Sequence, residues 1–128
     1  MTLKKKNLSS FNKDEVPSAK GLSFTIVVSS WNSNITNKLY QAAHDTLSYF
    51  GSDDIRRLEV PGSYELIFGA KVAYRKSPDA IICLGSIIKG ETRHFDFISN
   101  AVSNGIKDLN ISLEIPVVLA SLQMIILS

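Results

Sequence analysis

Apolar positions are scattered without period through the first 22 residues, a polar stretch that holds Pro17 and Gly21, so an extended arm is expected there and a domain from Ser23 to residue 128. The pattern then changes. Phe24-Thr25-Ile26-Val27-Val28 is a short β-branched run stopped by Ser29-Ser30, as in a strand buried on both faces. Ile35, Leu39, Ala42, Ala43, Thr46, Leu47 and Phe50 recur at helical spacing and Gly51 closes them, which predicts an amphipathic helix capped by Ser33 or Asn34. Ile55 to Val60 alternates weakly and stops at Pro61-Gly62, a second strand entering a turn. Leu66, Ile67, Ala70, Ala73 and Tyr74 predict a second helix that ends before Pro78. Ala80 to Ile88 is a third apolar strand, Ile98, Ala101, Val102, Gly105, Ile106 and Leu109 give a third helix its inner face, and Pro116 to Ala120 reads as a fourth strand.

Strands alternating with helices in this way predict an α/β fold, a three-layer α/β/α sandwich on a four-stranded parallel sheet joined by right-handed crossovers. Ligands of such sheets bind beyond the carboxyl ends of the strands. Those ends carry Ser29 to Asn32, Pro61 to Glu65, Lys89 to His94 and the residues after Leu119.

Composition narrows the function classes. At 128 residues, 45% hydrophobic and 20% charged, the chain can bury one core without disulfides or metal. Fourteen Lys and Arg against twelve Asp and Glu leave a net charge of +2, which makes no electrostatic case for nucleic acid. Lys4, Lys5 and Lys6 belong to the polar tail, where a solvated arm is the expected reading. The one cysteine, Cys83, lies inside the apolar run Ala80 to Leu84, where a buried structural thiol is expected rather than a nucleophile. No apolar stretch approaches the ~20 residues that a membrane span requires, and a reducing cytoplasm is the expected location. There is no Walker lysine, G-x-G-x-x-G, G-x-S-x-G or paired-His motif, so no metal and no cofactor is expected.

The segment Lys89-Gly90-Glu91-Thr92-Arg93 joins a buried strand to a helix N-terminus, where free N–H groups and the macrodipole favour an anion. Gly90 permits close approach, Thr92 offers a hydroxyl, and Lys89 and Arg93 add charge; an ordinary strand-to-helix turn is the competing reading. His94 opens the helix and suits proton transfer near neutral pH, against a capping or surface role, whereas His44 in mid-helix reads as a surface residue. Trp31 stands where it can stack on a planar ring while Asn32 bonds to the ring edge, against a packing role for the indole. Gly62-Ser63-Tyr64-Glu65 brings backbone N–H groups, a hydroxyl and a carboxylate suited to a polyol, with helix capping by Ser63 as the alternative.

Taken together, Ser30-Trp31-Asn32 with Ile35-Thr36, Val60 to Glu65, and Gly85 to Asp96 resemble the lumazine synthases, from about residue 7 to Leu122. The resemblance implies a flavodoxin-like fold and the cofactor-free condensation of 5-amino-6-(D-ribitylamino)uracil with 3,4-dihydroxy-2-butanone 4-phosphate to 6,7-dimethyl-8-ribityllumazine, phosphate and water. It implies His94 as the catalytic proton-transfer residue. Trp31 and Asn32 would take the heterocycle, Ser63 and Glu65 the ribityl chain, and Gly90, Glu91 and Thr92 part of the phosphate site; Gly62, Tyr64, Ser86, Ile87 and Ile88 complete the substrate-binding set. Leu119 stands where a Phe from an adjacent subunit usually closes the pyrimidine pocket. The small-molecule substrates are thus the implied partners, together with further copies of the chain in a homopentamer or pentamer-based shell, with no nucleic acid and no membrane.

The ending departs from the family. Its members continue past strand four with a Leu-Thr-Asp type motif, two further helices, and an Arg and a Lys at the phosphate; here stands Leu122-Gln123-Met124-Ile125-Ile126-Leu127-Ser128. A C-terminally incomplete domain lacking the last helices is expected, with a one-base frameshift as the hypothesis for its origin, since ATG followed by AT contains GAT, an Asp codon. Weak or absent turnover and impaired assembly follow as expectations. The alternative function is a truncated, catalytically weak subunit that serves as a structural or ligand-binding module; a generic flavodoxin-like nucleotide-binding domain leaves the joint motifs unexplained.

Overall fold

A computed structural model describes residues 11–89 and 94–125. Strand β1 (Ser23–Ser29) is followed by α1 (Ser33–Tyr49), β2 (Asp54–Val60), a 3-10 turn (Ser63–Glu65), α2 (Leu66–Tyr74), β3 (Ala80–Lys89), α3 (His94–Ser112) and β4 (Val117–Ile125). The sheet has the order β2-β1-β3-β4 with every pairing parallel, which is the expected three-layer, flavodoxin-like α/β/α arrangement. Alternation along each strand divides the core in two. Val27, Ile81, Cys83 and Val117 face α2 and α3, while Ile26, Val28 and Leu84 face α1.

Each predicted element is present, with shifted details. The inner face of α1 is Leu39, Tyr40, Ala43 and Leu47, with Thr36 fully buried. Ala42 and Thr46 are exposed instead of inward, and Thr46 Oγ1 donates back to the Ala42 carbonyl at 2.7 Å. The helix is capped by Asn32, not by Ser33 or Asn34: the Asn32 carbonyl accepts from Ile35 and Thr36 N–H at 3.0 and 3.2 Å. In α3, Val102, Ile106 and Leu109 are buried but Ala101 is exposed. Strand β4 runs on to Ile125, beyond the expected end at Ala120, because its pairing with β3 continues to Lys89↔Ile125.

Close approaches and clasps fix these layers. A Cβ on Gly69 would lie 2.7 Å from Val27 Cγ1 and 2.8 Å from Val60 Cγ1, so α2 sits hard on the sheet only because that side chain is absent. The amino ends of β1 and β3 are clasped by Asp79, whose Oδ2 accepts from Ser23 N–H at 2.7 Å and Ser23 Oγ at 3.3 Å. Asn110 ties α3 to β4, donating to the Ile106 and Val117 carbonyls and accepting from Val117 N–H at 2.8 Å. Before β1, a 3-10 turn spans Lys13–Glu15, and Ala19, 7% exposed, donates its N–H to the Phe50 carbonyl at 2.7 Å. On β4, Val117 is buried while Val118, on the opposite face, is 50% exposed. Among the described residues no helix is long and apolar enough to cross a membrane.

Candidate active site

The chain leaving β1 is stitched to the chain leaving β2. Ser30 N–H donates to the Val60 carbonyl at 2.7 Å, Trp31 N–H to the Pro61 carbonyl at 3.0 Å, and Ser30 Oγ to the same Pro61 oxygen at 3.3 Å. These bonds hold Trp31 at the carboxyl edge of the sheet with its indole half exposed. Asn32 then turns the backbone into α1 from the left-handed region, φ 60° and ψ 52°, a conformation that asparagine tolerates better than most residues. Its side chain does not cap the helix, and its Nδ2 donates across to Ser86 Oγ on β3 at 3.3 Å.

The second wall is the turn after β2. Gly62 is extended, and Ser63 to Glu65 form the 3-10 turn, closed by Glu65 N–H on the Gly62 carbonyl at 3.1 Å. The turn rests on Gly85 of β3, where a Cβ would meet Ser63 Oγ at 2.7 Å and Leu66 Cδ1 at 3.1 Å. Ser63 Oγ donates to the Ser86 carbonyl at 3.3 Å. The capping role weighed for Ser63 is therefore not the one it takes.

His94, the first residue of α3, supplies the third wall. Between the walls lies a cavity of about 490 Å³ lined by Trp31, Gly62, Ser63, Tyr64, Glu65, Ser86, Ile87, Ile88, His94 and Ile98. Nine of these are residues singled out from the sequence. Ile98 is the addition: it sits one helical turn beyond His94, on the same face, and that spacing is the signal that would have found it. Asn32 stands beside the cavity through its bond to Ser86. Gly90, Glu91 and Thr92, and Arg93 with them, lie outside the described residues. Leu119 does not line this cavity; it pairs with Cys83 in the sheet and packs, partly buried, against the core beneath α2 and α3.

The other reactive side chains stand apart. Cys83 is fully buried and its thiol is pushed up to about 12 by that burial, so it is no nucleophile near neutral pH. His44 is a surface residue with Nδ1 at 3.4 Å from Asp45 Oδ1. Among the described residues no group of three or more His, Cys, Asp or Glu side chains could hold a metal ion.

The sequence profile of the 6,7-dimethyl-8-ribityllumazine synthases matches residues 21–124. The chain belongs to the lumazine synthase family. Every cavity-lining residue of this lumazine synthase domain falls within the match. It is 46% identical over 121 residues to the 6,7-dimethyl-8-ribityllumazine synthase of Flavobacterium johnsoniae, an alignment covering 92% of this chain and 64% of that protein. Similar enzymes by name from Christiangramia forsetii and Cytophaga hutchinsonii are 47% and 48% identical over 116 residues, covering 88% of this chain and 69% and 72% of theirs. The chain thus spans about 64% of the length of its Flavobacterium relatives.

Proposed function

We propose that the chain condenses 5-amino-6-(D-ribitylamino)uracil with 3,4-dihydroxy-2-butanone 4-phosphate to 6,7-dimethyl-8-ribityllumazine, phosphate and water. The observation that carries this reading is the single cavity in which Trp31, the Gly62 to Glu65 turn and His94 converge from three separate strand ends. A half-exposed indole beside an apolar wall of Ile87 and Ile88 suits a planar heterocycle. Ser63 and Glu65 suit the hydroxyls of a ribityl chain. Gly90, Glu91 and Thr92, which precede α3 in the sequence, are the proposed phosphate subsite, and Leu119 is proposed to close the heterocycle site of a neighbouring copy.

The chemistry needs no protein nucleophile. The substrate's free amine attacks the ketone and water leaves to form an imine; elimination of phosphate then leaves an enol that tautomerises to a new ketone at the neighbouring carbon, and the second amine closes the ring on that ketone with loss of a second water. The protein orients the two reactants and moves protons, the latter assigned to His94. Exposed Phe68 and Phe97, at 67% and 62%, together with the family's usual assembly, support self-association, here proposed as a homopentamer or a pentamer-based shell in the cytoplasm.

Mixing both substrates with the chain and following lumazine absorbance tests the reading. Product formation above the protein-free rate, abolished in His94→Ala, is expected. Binding of the heterocycle with no product at saturating butanone phosphate would overturn the proposed reaction and leave a ligand-binding module.

A further inference from the structure

Two walls of the cavity meet on one residue. Ser86 is 2% exposed on β3; its Oγ accepts from Asn32 Nδ2 at 3.3 Å, and its carbonyl accepts from Ser63 Oγ at 3.3 Å. The paired stretch of β1 and β3 ends at Val28↔Leu84, so the Asn32 bond joins β3 to the chain leaving β1 past the last rung of the ladder, and the Ser63 bond joins β3 to the turn after β2. Asn32 has no capping bond from its side chain to account for its left-handed backbone. What its amide does instead is cross 54 positions of sequence to Ser86.

We infer that Ser86 is a positioning residue for the proposed reaction: its hydroxyl aims Asn32, and its carbonyl aims Ser63, at one ligand from two sides. The hydroxyl acts through Asn32 rather than on the ligand. The inference rests on the cavity being the heterocycle and ribityl site, because only there do Asn32 and Ser63 face different parts of the same molecule. Ser86→Ala removes the first bond and leaves the second, which uses the main chain.

Two measurements on the full chain decide it. Without ligand, the side-chain amide signals of Asn32 in an NMR spectrum should shift in Ser86→Ala and return in Ser86→Thr. With 6,7-dimethyl-8-ribityllumazine as probe, calorimetry should give about fivefold weaker affinity for Ser86→Ala, the size of one lost hydrogen bond, near recovery in Ser86→Thr, and no further loss when Ser86→Ala is added to Asn32→Ala. Unmoved Asn32 signals, or losses that add in the double variant, would overturn the inference. Should the unaltered chain not bind the probe, the heterocycle reading fails, and the amide signals alone still judge the link between Ser86 and Asn32.

Discussion

Adding one methyl group at Gly85 should damage the fold and the cavity together. In Gly85→Ala the new Cβ arrives 2.7 Å from Ser63 Oγ and 3.1 Å from Leu66 Cδ1. Leu66 is fully buried and has no room to retreat, so the turn holding Ser63 must give way by about 0.8 Å to reach ordinary contact. The bond from Ser63 Oγ to the Ser86 carbonyl is already 3.3 Å long and does not survive that shift. Overpacking costs about 1–3 kcal/mol, the lost bond about 1 kcal/mol, and the relief of a glycine in a strand returns about 0.5–1 kcal/mol. The net loss is about 1–3 kcal/mol, or about 4–10 °C in Tm for a domain of this size. Thermal melts followed by circular dichroism measure it, with calorimetry of the lumazine probe as the reading at the site. The double variant Gly85→Ala with Ser63→Ala should regain part of the stability, because it removes the nearest clashing atom. A Gly85→Ala protein as stable as the parent, or a double variant no better than the single, would refute the reasoning.

Three other outcomes are expected. His94→Gln should lower kcat of lumazine formation by about 10²–10⁴ with a small change in KM, as expected of a residue that moves protons rather than anchors substrate; a change confined to KM would contradict the role. Cys83 keeps its proton to about pH 12 when folded, against 9.0 as the ordinary value. Between those limits the unfolded chain releases a proton that the folded chain retains, so stability falls as pH rises, and the urea midpoint should fall less steeply in Cys83→Ala. Asn110→Ala strips the buried Val117 of its N–H partner and should cost about 2 kcal/mol in urea unfolding.

The alternation of strand and helix was legible because burial on both faces writes continuous apolar runs at Phe24 to Val28 and Ala80 to Leu84. Helix faces were read less well. Ala42 and Thr46 have the right spacing, but α1 covers the sheet with a narrower stripe than the pattern allowed. The cap of α1 escaped notice because a left-handed Asn32 serves with its carbonyl while its side chain bonds elsewhere; residue preference describes side-chain caps. Trp31, Ser63 and His94 could be located in advance since strand ends predict ligand edges. Gly85, by contrast, read as one more strand residue, and its function as a seat for Ser63 depends on a contact 22 positions away. Ile98 was recognised only as a core position, although helical spacing aligns it with His94.

The clasp of Asp79 on Ser23 has a consequence for the order of events in folding. It joins residues 56 positions apart and sits at the root of the β1–β3 pairing, so closing it carries the loop entropy of α1, β2 and α2 all at once. The turns after β1 and β2 can dock on each other first through Ser30, Val60 and Pro61, but they make only half a cup until β3 slides between Asn32 and Ser63 with its glycine in register. A molecule that needs both halves therefore binds the completed sheet alone, and each increment of its concentration above Kd draws the whole central pairing toward the folded side. In this chain occupancy of the cup would serve as a gauge of whether the middle of the sheet has closed.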